Sequence, residues 1–352
     1  MLRLDSEINK ISLGAIEINK AYLGNTIVYD NTGVNTFVST WDTTKSGVSS
    51  SNQIALPLID TGTYSFDVVY GGVVIKTITS YTDNVVTFPD GSGVKEIECI
   101  GTLTGFRFNN SGDKLKILSI SSFGTSFRFF NGQYSFYGCA NITSIQGNLD
   151  TTGISSLFSF ARGCTSLVTL DVSNWDISGV SNLSEFVRDC PSLTNLDVSN
   201  WDVSLVISMT FFAYNCTSLT SLDVSNWDVG GVVNASVFIR NCTSLTSLDV
   251  SNWNVSAVTN FNAFARGCTS LVDLDISNWN VSSVTNMTNF CANSTIQTND
   301  YSAALIYWDS LTLQSGVTAN FGSTKYSAGA ATAARLSIIT SDGWSITDGG
   351  QE

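Results

Sequence analysis

Residues 216–241 read CTSLTSLDVSNWDVGGVVNASVFIRN, and nearly the same string is written five times in succession. The copies begin at Cys164, Cys190, Cys216, Cys242 and Cys268, each start 26 residues after the last with no insertion. A period held that strictly marks a chain wound in stacked units, each of which buries its apolar face only against the next. An unequal winding would lift whole columns of side chains out of contact. Function is then to be sought in surfaces and ends.

Within one unit, residues 167–177 (LVTLDVSNWDI) alternate apolar and polar side chains, as a strand with one buried face does. The template LxxLxVxxWxI resembles the leucine-rich repeat pattern LxxLxLxxNxL, with Trp where Asn or Cys usually stands. Asn there bonds the backbone of adjacent turns. The column Trp175, Trp201, Trp227, Trp253 and Trp279 is instead expected to stabilise by buried area, about 150–250 Å² per ring, with a solvent-facing stripe for sugar stacking as the alternative. In the return half, residues 181–190 (SNLSEFVRDC), Leu183, Phe186, Val187 and Cys190 fall at i, i+3, i+4 and i+7. That spacing predicts a short helix with Ser181 or Asn182 as N-cap. The expected fold class is therefore α/β: a right-handed leucine-rich-repeat solenoid of 26-residue turns, with a parallel sheet on one side and helices on the other, preceded by a small all-β sandwich.

The flanks divide the chain further. Residues 1–30 carry a short duplication, EINKISLG from Glu7 and EINKAYLG from Glu17. This segment is expected to dock on a partner, through Ile8, Ile11, Leu13, Ile18, Tyr22 and Leu23. Residues 31–110 hold β-like runs at 53–59, 64–70, 73–81, 84–88 and 94–108 between Gly, Asp, Asn and Pro clusters, which predicts the β-sandwich. Residues 111–290 form the array. Its imperfect first windings, with Leu115, Leu118, Ile120 and Phe123 already in register, act as an amino-terminal cap. Residues 291–352 predict a carboxy-terminal αβ cap: helices near 301–308 and 328–339, and strands at 317–321 and 344–346.

Charged residues make up 13% of the chain, so its polar surface is built of Ser, Thr, Asn and Gly. A net charge of −13 with no run of Lys and Arg argues against nucleic acid and against anionic membrane surfaces. No apolar run reaches the ~18 residues that span a bilayer, so no membrane insertion is expected. The opening MLRLDSEINKISLG has no signal-peptide core, and export by the general route is not expected. There is no His for base or zinc chemistry, no phosphate loop, and no Ser or Cys with an activating partner, so no enzymatic activity is expected.

Two outward columns run along the strand side: Asp171, Asp197, Asp223, Asp249 and Asp275, and beside them Ser173, Ser199, Ser225, Ser251 and Ser277. Stacked carboxylates repel. Either each Asp bonds turn N–H groups or a repeated cation, or the strip binds Ca²⁺ or glycan hydroxyls. No other cofactor or metal is expected. Arg162, Arg188, Arg240 and Arg266 form a third column, interrupted by Tyr214. They are expected to cap helix C-termini, with exposed receptor contact as the alternative. Phe211, Phe212 and Tyr214 make that winding the most individual one, and so the candidate receptor contact.

Over residues 139–290 the repeat CTSLTSLDVSNWDVxxVxNxxxF closely resembles the BspA-like leucine-rich repeats, also called the DUF285 or mycoplasma-lipoprotein repeat. YSFDVVYGG at Tyr64 and GTLTGFRFNNSGDKLKILSISSFG at Gly101 resemble the small β-sandwich that precedes such repeats, and GWSITDGG resembles their usual terminus. The opening INKISLGAIEINKAYLGNTIVYD is similar to the starts of tail or fibre proteins of bacteriophages and prophages, especially of Bacteroidetes. The resemblance implies adhesion without catalysis. It implies a virion protein, a fibre, spike or tail-associated adhesin, assembled in the host cytoplasm, displayed on the particle and homo-oligomeric. Its implied partners are other virion proteins at the N-terminus and a host glycan or protein receptor. Alternatives are a bacterial cell-surface adhesin, a decoration protein with no receptor, or a polysaccharide-degrading tailspike. The last needs two carboxyl groups in unlike environments, which identical Asp in identical repeats do not provide.

Five of the eight Cys recur at one repeat position, which predicts a column of buried thiols. Alkylation after denaturation should label all eight by intact mass, and fewer would reveal a bridge.

Overall fold

The computed structural model describes residues 36–129 and 131–352, and the backbone of four short strands before them. Those four pair as antiparallel hairpins: β1 (Ile11–Leu13) with β2 (Ile16–Ile18), and β3 (Lys20–Leu23) with β4 (Thr26–Asp30). The docking residue Ile8 and the side chains of Ile11, Leu13, Ile18, Tyr22 and Leu23 lie outside the described residues.

The next strands are β5 (Phe37–Asp42), β6 (Gln53–Ala55), β7 (Tyr64–Tyr70), β8 (Val73–Ile78), β9 (Val85–Thr87) and β10 (Val94–Thr104). Alternation of Val, Ile and aromatic residues makes β10 a central strand, antiparallel to β5 on one side and β7 on the other. β7 turns into β8 through Gly71 and Gly72, whose φ values of 58° and 77° suit a two-residue hairpin. β6 and β9 pair separately. Phe37, Trp41, Phe66, Phe88, Phe106 and Phe108 fill the core between them.

The sheet continues into the repeats. β11 (Ile117–Ser122) pairs antiparallel with β5, then parallel with β13 (Ser144–Ile145), which pairs parallel with β14 (Thr169–Leu170); β12 (Phe127–Arg128) lies parallel to β10. Beyond β14 the units contact through single parallel bridges one period apart, such as Thr169 to Asn195 and Asn182 to Ser208.

This overturns the α/β leucine-rich-repeat solenoid. The protein is β-rich with mixed sheets, and among the described residues its two α-helices, α1 (Thr298–Asp309) and α2 (Ala330–Ser341), both follow the repeats. The segments expected to be helical are successive tight turns. Ser159, Glu185, Phe211, Val237, Ala263 and Asn289 all hold left-handed backbone with φ between 51° and 61°, and Asp189, Asn215 and Asn241 hold φ of 60° to 63°. A left-handed residue every fourth position stops a right-handed helix. Alternate N–H groups instead reach the next unit: Leu183 to Ser208 (3.0 Å), Glu185 to Thr210 (2.8 Å), Val187 to Phe212 (3.0 Å) and Asp189 to Tyr214 (2.8 Å). Those between them close the turns, Phe186 to Leu183 and Arg188 to Glu185. Leu183, Phe186, Val187 and Cys190 are buried all the same, because the turns deliver the same spacing to the interior.

The Trp column is buried, and it also bonds. Nε1 of Trp201, Trp227, Trp253 and Trp279 donates to the carbonyl of Val172, Val198, Val224 and Val250 at 3.0 to 3.1 Å. Stabilisation by area alone was the wrong expectation, since the indole N–H does for adjacent units what Asn does elsewhere. The thiols act likewise. Sγ of Cys164, Cys190, Cys216, Cys242 and Cys268 lies 3.0 to 3.2 Å from a carbonyl of the preceding unit, and Ser294 Oγ continues the column at 2.9 Å. All eight thiols are unpaired and buried.

After α1, β15 (Thr318–Asn320) and β16 (Ser345–Thr347) pair in parallel. Met287 bridges to Ala319, and Trp308 Nε1 donates to Trp279 O at 3.0 Å, so the tail adds a last partner to the stack. At the other end a buried ion pair fastens the loop at 48–55. Asp113, fully buried, accepts from the N–H groups of Val48 (2.7 Å), Ser49 (3.2 Å) and Ala55 (2.6 Å) and from Ser49 Oγ. Lys116 Nζ, 3.7 Å away, donates to the carbonyls of Ser49, Ser50 and Gln53. No helix is long and apolar enough to cross a membrane among the described residues. Asp113→Ala should cost about 3–5 kcal/mol in denaturant unfolding, because it leaves Lys116 buried without its counter-charge.

Candidate functional site

The Asp column sits where each strand-side segment ends. Oδ1 of Asp171 accepts from the N–H (3.3 Å) and Oγ (2.8 Å) of Ser173, and Asp197, Asp223 and Asp249 accept in the same way from Ser199, Ser225 and Ser251. Asp275 accepts from the Ser277 N–H at 2.9 Å. These are Asx turns, in which the side chain stands in for a backbone carbonyl and breaks the strand. A second column, Asp176, Asp202 and Asp228, makes the same turn one corner on, and Asn254 and Asn280 make it equally well. The acceptor oxygen, not the charge, is what the turn requires. Hydrogen bonds from Ser225 hold the Asp223 carboxyl below the usual carboxylate range. Among the described residues no three His, Cys, Asp or Glu side chains gather closely enough to hold a metal. Asp171, Ser173 and Asp197 line a shallow groove with Gln146, Thr169 and Asn195.

The structure separates the three aromatic residues of the individual winding. Phe212 is core, its ring stacked between Phe186 (5.6 Å) and Phe238 (5.2 Å). Phe211, at φ 57°, and Tyr214 are half-buried neighbours with centroids 5.7 Å apart. The Arg188 guanidinium lies over both rings, at 4.7 and 5.3 Å, and Arg240 lies over Tyr214 at 5.5 Å. Arg162 covers Tyr137 at 4.9 Å. With no helix to cap, Arg162, Arg188 and Arg240 stack on aromatic rings along one edge.

Glu185 organises this edge. It is buried; Oε2 accepts from Arg162 (2.7 Å) and Ser159 Oγ (2.7 Å), and Oε1 from Arg188 (2.7 Å). Its signal was present in the sequence, because it is the only Glu between Glu98 and Glu352. Tyr134, Tyr137 and Phe158 carry the aromatic edge toward the amino-terminal side.

Burial raises every thiol, to about 12 for Cys216 and Cys268, so thiolate is scarce at neutral pH. The geometry defines a class: a β-rich protein built on stacked, hydrogen-bonded 26-residue units with Asx-turn corners and one arginine-aromatic edge. Residues 130–247 and 188–304, the repeat region, match the family described as Mycoplasma protein of unknown function, DUF285. No curated protein matches the chain.

Burial opposes ionisation of Glu185, but Ser159 and the two arginines outweigh it and hold the carboxyl below its usual range. Its contribution to stability is therefore present above the unfolded value of about 4.3 and is lost as pH falls through the folded value. The Tm gap between the wild type and Glu185→Gln should narrow as a melting series moves from neutral pH toward about pH 3.

Proposed function

We propose that the protein is a non-enzymatic recognition component of a bacteriophage virion, a fibre or tail-associated adhesin that presents its repeat surface to a receptor on the host. The observation that carries this is the contrast between a uniform stack and one individual edge. Most outward positions repeat small Ser, Thr, Asn and Asp side chains that close turns, whereas Phe211 and Tyr214 break the recurring arginine column and stack with Arg188 and Arg240. Rigid neighbours hold those side chains in place, which favours binding by limiting the entropy lost on contact. The virion assignment is supported by the likeness of the opening residues to phage tail proteins, with that segment docking on other virion proteins.

Mass spectrometry of purified particles should find peptides of this chain, and the labelled full-length protein should bind host cells saturably. Peptides confined to the bacterial envelope would assign the chain to the cell surface instead.

A further inference from the structure

The unit at residues 190–215 is individual on a second side as well. Where it carries Leu205, neighbouring units carry Gly179, Gly231 and Ala257, and where it carries Ile207 they carry Ser181, Val233 and Thr259. Leu205 is 58% exposed, Ile207 55% and Val233 42%, while Val206 between the first two is fully buried. The Ile207 N–H donates to Ser181 O and the Val233 N–H to Ile207 O, both at 2.9 Å, so the three side chains share one face of adjacent units. Folding does not ask for them, since Gly, Ala, Ser and Thr fill the same positions in other units. A contiguous apolar patch of this kind marks a contact surface.

Charge at the margins of the face bears on its occupant. Asp176, Asp202 and Asp228 stand exposed along one margin. Beyond Ile207 the inter-unit bonds continue through Met209, Phe211, Ala213 and Asn215, so the same ribbon ends at the arginine column. Arg240, twelve residues after Asp228, has no ion pair among the described residues.

We propose that this face binds a second copy of the chain about a two-fold axis that runs along the stack, over Val206. Such an axis keeps each unit level with its counterpart and reverses the ribbon. Leu205 of each copy then meets Ile207 of the other, Val233 meets the exposed Gly231, and each carboxylate margin lies toward an arginine margin. A two-fold axis across the stack would instead set the two carboxylate columns side by side, where they repel. A second copy also matches the advance of the units by construction, which an unrelated surface does not. The six windings from Gly153 to Ser283, at the ~4.8 Å spacing of paired strands and with about five extended residues each, give a footprint of roughly 450 Å² per copy. A standard interface covers ~800 Å² per partner, so this dimer belongs to the weak, reversible class.

Sedimentation velocity of the full-length protein from about 1 to 100 μM should show monomer passing reversibly into dimer. Leu205→Ala combined with Ile207→Thr, residues that Ala257 and Thr259 already supply at these positions, should weaken dimerisation at least about tenfold. Val168→Thr, which removes an exposed valine from the strand side, should leave it unchanged. Ser181→Cys tests the orientation. Level units bring this position near its own counterpart, whereas an axis across the stack through the patch sets the two about three units, or ~14 Å, apart. A short bis-maleimide should therefore link the Ser181→Cys variant into covalent dimers. Thermal melting checks that each variant folds. A protein that stays monomeric at every concentration leaves the patch to a different protein and overturns the proposal. A dimer that survives the double substitution, or a Ser181→Cys variant that is not linked, overturns it as well.

Discussion

Everything in this protein depends on one constraint: each 26-residue unit must place its hydrogen-bond donors opposite the carbonyls of its neighbours. The donors are of three kinds. Backbone N–H groups of alternate turn residues, such as Glu185 and Val187, reach the following unit. Indole N–H groups of the Trp column and thiols of the Cys column reach the preceding one. Each bond contributes only about 1 kcal/mol net, but leaving one unmade in the dry interior costs more, so a single inserted residue would penalise every column at once. Trp175 illustrates the boundary condition. It opens its column, and its buried Nε1 is unpartnered.

The same constraint explains the composition. Side chains at the corners must close tight turns without widening the unit, and short oxygen-bearing residues do so. The Asp and Ser columns are a product of that requirement. Neighbouring carboxylates are tolerated because they are largely exposed, where water screens them, and because each also accepts bonds within its own turn. Left-handed backbone at Phe211 and Val237 is a strained choice for residues with a Cβ, and the inter-unit bonds those residues donate offset it.

Recognition and folding therefore draw on different residues. The buried Leu, Trp, Phe and Cys columns are nearly invariant from unit to unit and hold the stack. What varies lies outward, as at Phe211, Tyr214, Leu205 and Ile207, while the repeated outward charges are segregated, with cations on one edge and carboxylates at the corners. Segregation of this kind costs stability through like-charge repulsion, and Glu185 relieves that cost only for Arg162 and Arg188.

The sequence by itself determined the period, the buried columns, the strand positions between residues 53 and 104, and the two helices and two strands of the tail, because all of these follow from local spacing of apolar side chains. The helix assigned to residues 181–190 failed for a definite reason. Spacing of i, i+3, i+4 and i+7 records which side chains point inward, and alternating left- and right-handed turns satisfy it as well as a helix does. Which of the two forms is decided by where the N–H groups bond, and their partners lie a full unit away, at Ser208, Thr210, Phe212 and Tyr214. Tertiary structure alone likewise parted Phe212 from Phe211 and Tyr214, three residues alike on paper, and gathered Glu185 with two arginines, because the handedness of each turn sets which side chain faces the core.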